Sequence, residues 1–250
     1  MIRAEGLTKI FQDPRGGGEF RAVNDVSFTC SPGRIFGLLG PNGAGKTTTL
    51  RLLSTTLVPT AGSASIAGHD VVREASEARR NLGFLTGTTG IYERLTPREM
   101  VLYFGRLYGL DDATIARRID ELFELLDMHG FADTPNGRLS AGMKQKVSLA
   151  RTIVHDPPVL IFDEPTTSLD VLVARTVTDF ISERRALGRT IILSTHIMSE
   201  AEKLCDDLAI LHHGRILTQG TLDEVLARSS SNSIEELFFS LIDACDAPSG

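Results

Sequence analysis

The stretch Gly40-Pro41-Asn42-Gly43-Ala44-Gly45-Lys46-Thr47 constrains this chain more than any other. It fits the pattern G-x-x-x-x-G-K-[ST]. A short apolar run, residues 35–39 (IFGLL), leads into it, and a helical pattern follows from Thr48. Glycines let backbone N–H groups wrap phosphates without Cβ clashes, and the following helix N-terminus adds a dipole that favours anions. Lys46 is placed to reach β- and γ-phosphates, and the Thr47 hydroxyl to ligate Mg²⁺. Gly40, Pro41, Asn42, Gly43, Ala44, Gly45, Lys46, Thr47 and Thr48 are therefore the expected nucleotide-binding residues.

The rest of the sequence suits the α/β fold that such a loop needs. Apolar runs at residues 159–162, 190–193 and 208–211 are short, bounded by turn residues and separated by helical patterns. That alternation predicts parallel strands covered on both faces. Residues 96–126 carry the helical period instead. Met100, Tyr103, Phe104 and Leu107 are expected on one stripe, and Ile115, Ile119, Leu122, Phe123 and Leu126 on another. They predict an inserted helical subdomain. Residues 13–18 (DPRGGG) read as a turn or inserted loop, and residues 228–233 (RSSSNS) as a linker. Beyond the linker, Ile234, Leu237, Phe238, Leu241 and Ile242 fall at helix spacing. This amphipathic tail is acidic, so docking on its own domain or on a dimer mate is expected rather than on anionic lipid.

Composition narrows the function classes. At 250 residues with 42% hydrophobic and 23% charged residues, disorder and coiled coil are excluded. A net charge of −6 argues against a dedicated nucleic-acid binder. Cys30, Cys205 and Cys245 show no CxxC spacing, which predicts a reducing compartment without a disulfide framework or zinc site. No apolar run approaches the ~20 residues needed to span a bilayer, and Met1-Ile2-Arg3-Ala4-Glu5 lacks a signal-peptide hydrophobic region. Any membrane role is therefore expected to come through a partner.

Two further positions point to phosphate chemistry. The run at 159–162 ends in Asp163-Glu164, at what should be the carboxyl edge of a parallel sheet, where ligands bind. Asp163 is expected to hold Mg²⁺ through water, and Glu164 to act as general base on the attacking water. His196 ends another buried run on that edge and is expected at the γ-phosphate. His212 and His213 are read as surface residues in a turn, and His69, His129 and His155 as structural.

The order of these segments, with Leu139-Ser140-Ala141-Gly142-Met143 lying just upstream of the Asp163 strand, resembles an ATP-binding cassette (ABC) nucleotide-binding subunit over nearly the whole chain. The resemblance matches Asp163 and Glu164 to the Walker B aspartate and catalytic glutamate, Ser168-Leu169-Asp170 to the D-loop, and His196 to the switch histidine. Phe11 falls at the adenine-stacking aromatic of the A-loop, and Val23 is expected on the other wall of that pocket. The implied fold is a P-loop NTPase with a RecA-like α/β core, an antiparallel β portion near the N-terminus and an α-helical insert. The implied domain spans residues 1–228, with its core at about 1–87 and 151–228 and the helical subdomain at about 88–150. Residues 229–250 form a short tail.

The resemblance further implies that two cassettes close head to tail around two ATP molecules. Ser140, Gly142 and Asp170 of one chain would then meet the nucleotide held by the other, with transmembrane permease subunits driven by closure. The chain would sit in the cytoplasm, against the inner face of the cell membrane. Two departures stand out. Ala141 and Met143 replace Gly and Gln in the signature, and Gly87 stands where the Q-loop glutamine is usual. The strings at 83–87 and 142–147 look like those of sodium-export ATP-binding proteins, so the expected activity is ATP hydrolysis energising export, with sodium as one cargo. The alternative is a soluble ABC ATPase acting on DNA or the ribosome. A GTPase would need an NKxD segment, which is absent, and a binding-only scaffold would require loss of Glu164 or Lys46.

Overall fold

The computed structural model describes residues 1–12, 16–86, 90–229 and 233–246. Its centre is a six-stranded sheet in the order β10-β9-β3-β8-β7-β6. The strands are β3 (Ile35–Leu39), β6 (Leu82–Thr86), β7 (Val159–Asp163), β8 (Thr190–Thr195), β9 (Asp207–His212) and β10 (Arg215–Thr221). β6, β7, β8, β3 and β9 run parallel, and β10 returns antiparallel at the edge. β3 and β7 are buried at every position, as expected of parallel strands with both faces covered.

A second, antiparallel sheet is built from β1 (Ile2–Gln12), β2 (Glu19–Cys30), β4 (Ala61–Ile66) and β5 (His69–Asp70), in the order β2-β1-β4-β5. Its inward residues share one core with α1 (Lys46–Leu53) and one face of the parallel sheet. A short helix, α2 (Ala75–Arg80), leads back into β6. The α/β core with an N-terminal antiparallel portion is therefore as the sequence implied.

The helical insert consists of α3 (Pro97–Leu107), α4 (Asp112–Leu125) and α5 (Ala141–Ile153). Thr96 starts α3 with a full capping box to Glu99, and Asp111 caps α4 through the Thr114 N–H. The α4 stripe lies in the core as expected. The α3 stripe does not: Met100 is buried, but Tyr103 is 47% and Leu107 67% exposed. The cause is Gly105, where a Cβ would stand 2.8 Å from Ile115 Cγ1. The two helices cross so closely there that Met100, Val101 and Gly105 form the inward face instead.

Beyond the insert lie α6 (Val171–Ala186), α7 (Met198–Leu204) and α8 (Leu222–Ser229). The tail helix α9 (Ile234–Asp246) packs on α7 and α8, with Ile234, Leu237 and Phe238 buried. Its Ile234 N–H donates to Glu202 Oε1 on α7 (2.9 Å). The amphipathic tail thus docks on its own domain.

Candidate active site

The loop from β3 to α1 forms one wall of a cleft at the carboxyl edge of the parallel sheet. Glycine is required twice here. A Cβ on Gly40 would lie 2.4 Å from the Leu211 carbonyl oxygen, and one on Gly45 would lie 2.4 Å from that of Ala22. Gly45 also takes φ +104°, and it caps α1 with no side-chain hydrogen bond. The first N–H groups of α1 are therefore left for a ligand. Pro41, Asn42, Gly43, Ala44, Gly45, Lys46, Thr47 and Thr48 all line the cleft.

Lys46 is buried and lies back across the loop, donating to the Gly40 (2.6 Å) and Pro41 (3.2 Å) carbonyls. Its Nζ is also 3.4 Å from Glu164 Oε1, and His196 Nδ1 is 3.3 Å from the same oxygen. The Thr167 hydroxyl donates to Glu164 Oε2 (3.2 Å). Burial works to raise the Glu164 carboxyl, but Lys46 and then His196 outweigh it and hold it below the usual carboxylate range. Glu164 sits at φ +50°, a left-handed position that costs a side-chain-bearing residue about 1–2 kcal/mol. Its N–H is held by Ser194, through the carbonyl (3.1 Å) and the hydroxyl (3.2 Å).

Ser194 does more. Its buried hydroxyl donates to Asp163 Oδ1 (2.6 Å), fixing the carboxylate at the end of β7. The register pairs Asp163 with Ser194 on one side and Thr86 on the other. Sequence reading passed over Ser194. A hydroxyl directly after the apolar run 191–193 and two residues before His196 was its signal.

At the far end of the cleft, Phe11 and Phe20 stack with centroids 5.6 Å apart, and Lys9 stands over Phe11. Phe20 was not anticipated; it pairs directly opposite Phe11 in the β1–β2 register. Val23 does not line the cleft. A break in the strand alternation at Asp25 (φ +59°), where the register slips between Leu7 and Lys9, turns Val23 into the core out of phase with Val26, Phe28 and Cys30, and Arg21 and Ala22 form that wall. His212 is likewise not a surface residue but is buried at the end of β9, while His213 and Gly214 line the cleft. Gly214 N–H donates to the Ala44 carbonyl (2.9 Å), so this turn braces the phosphate loop.

Ser140, Gly142 and Asp170 do not line this cleft. Ser140 caps α5, accepting from the Met143 N–H (3.3 Å). Gly142 lies under Val173 of α6, where a Cβ would approach Cγ2 to 2.6 Å. Asp170 caps α6 through the Leu172 and Val173 N–H groups (3.0 Å each). Ala141 keeps a negative φ, so the departure there brings no strain. Gln145 of α5 donates to the Pro165 carbonyl (2.7 Å), tying this helix to the segment after Glu164. Gly87 lies outside the described residues. Arg98 and Arg106 are paired with Asp133 and Asp112.

The donor set suits one small hard cation shared with phosphates. Among the described residues no group of three or more His, Cys, Asp or Glu could hold a metal alone. The Thr47 hydroxyl and the Asp163 carboxylate at one sheet edge fit Mg²⁺, which keeps waters and phosphate oxygens as its other ligands.

Comparison with known proteins agrees with this geometry. The ABC transporter family model matches residues 23–167. The ABC transporter ATP-binding protein NatA of Bacillus subtilis is 38% identical, over 96% of this chain and 97% of its own length. The Nod factor export ATP-binding protein I of Ralstonia nicotianae is 37% identical over 95% of this chain and 72% of its own. A solved ATP-binding subunit of an ABC transporter superposes with a TM-score of 0.87 at 31% identity, covering 97% of this chain and 99% of that one. A dimeric ATP-binding cassette with ADP and Pi shares the fold, with a TM-score of 0.79 at 23% identity over 89% of this chain and 99% of that one. Among the described residues no helix is long and apolar enough to cross a membrane. This chain belongs to the ABC transporter family, as an ATP-binding and ATP-hydrolysing subunit.

Proposed function

We propose that this chain energises export through a separate membrane permease, with sodium as the first cargo to test. The observation that carries the hydrolytic part is the Lys46–Glu164–His196 cluster at the mouth of the phosphate loop. Relatives named for export support the direction of transport. Sodium rests on the likeness of the strings at 83–87 and 142–147 to sodium-export proteins.

The geometry gives a sequence of events. Lys46 contacts Glu164 and its own loop. A triphosphate settling on the α1 N-terminus draws Lys46 to its β- and γ-oxygens, because a multiply charged phosphate outcompetes one carboxylate. Glu164 then loses the larger of the two charges that hold its pKa down and becomes a better base. It takes a proton from water as the water oxygen attacks the γ-phosphorus, and the bond to ADP breaks. His196 holds Glu164 in place and contacts the γ-phosphate. Bound Mg²⁺, held by Thr47 and Asp163, would neutralise charge on the phosphates. Phe11 and Phe20 take the adenine face.

Two chains closing head to tail would bring Ser140, Gly142 and Asp170 of one onto the nucleotide of the other. The permease would seat on the helical subdomain, where Tyr92, Tyr103 and Leu107 expose an aromatic and apolar patch. Through it the chain would be peripheral to the inner face of the membrane. The test is to tag Glu164→Gln and isolate it from native cells with ATP in mild detergent. A polytopic membrane protein at matching stoichiometry is expected. Reconstituted in vesicles with the wild-type chain, it should move sodium only with ATP. Ribosomes or DNA-bound proteins without a membrane protein would overturn the transporter reading in favour of a soluble ABC ATPase.

A further inference from the structure

Beside the nucleotide cleft lies a second, more apolar pocket. It is walled by Pro41 and Asn42 of the phosphate loop, by His196 and Met198, and by Phe238 and Phe239 of the tail helix α9. Phe239 is 55% exposed although α9 is otherwise docked. On a different part of the chain, Val171 and Leu172 open α6 at 83% and 78% exposure. They are the most exposed large hydrophobic residues among those described, and they directly follow Asp170.

We propose that the pocket against α9 receives the Val171–Leu172 tip of α6 from a second copy of this chain. The proposal rests on the head-to-tail dimer above and assigns the tail helix a role in it. Two observations point to this occupant. The pocket is continuous with the nucleotide cleft, because Pro41 and Asn42 line both. A second copy that covers the cleft with its Asp170 segment brings the next two residues over the pocket. Symmetry then makes each contact twice, since the surface that gives the tip also carries the pocket. Two apolar side chains left in water in one copy and an exposed aromatic wall in the other are both covered by one closure.

The test uses Glu164→Gln to hold ATP and Cys245→Ser to remove the exposed thiol. Cys30 and Cys205 are buried, and burial pushes the Cys30 thiol up to about 12 and raises Cys205 as well, so both stay unreactive. One tagged copy carries Leu172→Cys and a differently tagged copy Phe239→Cys. They are mixed with Mg-ATP and a short bismaleimide, and mass is followed by light scattering. A mixed cross-linked dimer that forms only with ATP is the expected result. Phe239→Asp should weaken the ATP-driven dimer roughly tenfold without changing ATP binding to the monomer. If mass doubles with ATP but no mixed link forms, the proposal is overturned and the dimer reading stands. If mass does not double and no link forms, both are overturned. Loss of permease co-purification by Phe239→Asp, with the dimer unchanged, would assign the pocket to the membrane partner and also overturn the proposal.

Discussion

Two helices of this chain begin beside glycine, and they begin differently. α1 starts at left-handed Gly45 with no side-chain cap, and residues 45–48 line the cleft. α5 starts at Ser140, whose hydroxyl already accepts from the Met143 N–H, and its Gly142 is packed under Val173. The first end keeps its backbone donors for a ligand. The second has its Met143 N–H taken by its own serine, and the Ala141 and Gly142 N–H groups with the Ser140 O–H remain to donate elsewhere. One end opens into the cleft and can bind an anion there, whereas the other lies outside it and can only add to a site brought to it from elsewhere.

The largest expected effects fall on the α1 side. Glu164→Gln should lower ATP turnover roughly a thousandfold while ATP binding persists. Lys46→Ala should instead lose ATP affinity, by roughly a hundredfold. Equilibrium binding and single-turnover rates separate the two. A Glu164→Gln protein turning over at the wild-type rate would remove the base from this cleft.

The halves carrying the two helix starts meet at a seam. His155, just beyond α5, stacks flat on Tyr108 at the end of α3, with centroids 3.5 Å apart, and its Nε2 lies 3.2 Å from the Leu82 carbonyl. Burial lowers His155 to about 4. The unfolded chain takes up this proton near 6.5 and the folded one only near 4, so the stability His155 contributes is full above pH 6.5 and is lost as pH falls towards 4. His155→Phe keeps the stack and removes the titration. Between pH 7 and 4.5 it should lose on the order of 2–3 kcal/mol less stability than the wild type, read by denaturant unfolding. Equal pH slopes would show that the seam does not open in this range.

On the α5 side the effects concern packing. Gly142→Ala should cost about 1–3 kcal/mol, because the new methyl meets Val173. Adding Val173→Ala should restore most of it. If the pair regains the wild-type melting temperature but not turnover, the glycine serves a partner's nucleotide as well as its own helix.

What could be read in advance follows the same division. The phosphate loop and the Asp163-Glu164 pair were legible because strand, loop and functional side chain are contiguous. Ser194, Phe20 and His213 were not, since only the strand register and the β9–β10 turn bring them in. Val23 failed on an irregularity: the residue type suits a pocket wall, but the register slip at Asp25 faces it inward against the alternation set by Val26, Phe28 and Cys30. Tyr103 and Leu107 failed because a single glycine at 105 lets α4 approach and rotates the buried face of α3, which a stripe of large residues cannot reveal.

The smallest effect gives the sharpest distinction between the two helix starts. Ser140→Ala removes a cap and should cost about 1 kcal/mol of stability. It also removes one of the donors that the capped start can spare, so lost turnover alone would not say which loss matters. Ser140→Asp separates them. Aspartate caps as well as serine and adds favourable charge at a helix N-terminus, so stability should match or exceed the wild type. Yet its carboxylate has no proton to donate and repels a phosphate. A chain with Ser140→Asp should fold, bind ATP as a monomer through α1, and fail to close on a second copy. If it dimerised with ATP as the wild type does, the α5 start would be a cap and nothing more, and the contrast with α1 would be between a binding site and an ordinary helix end.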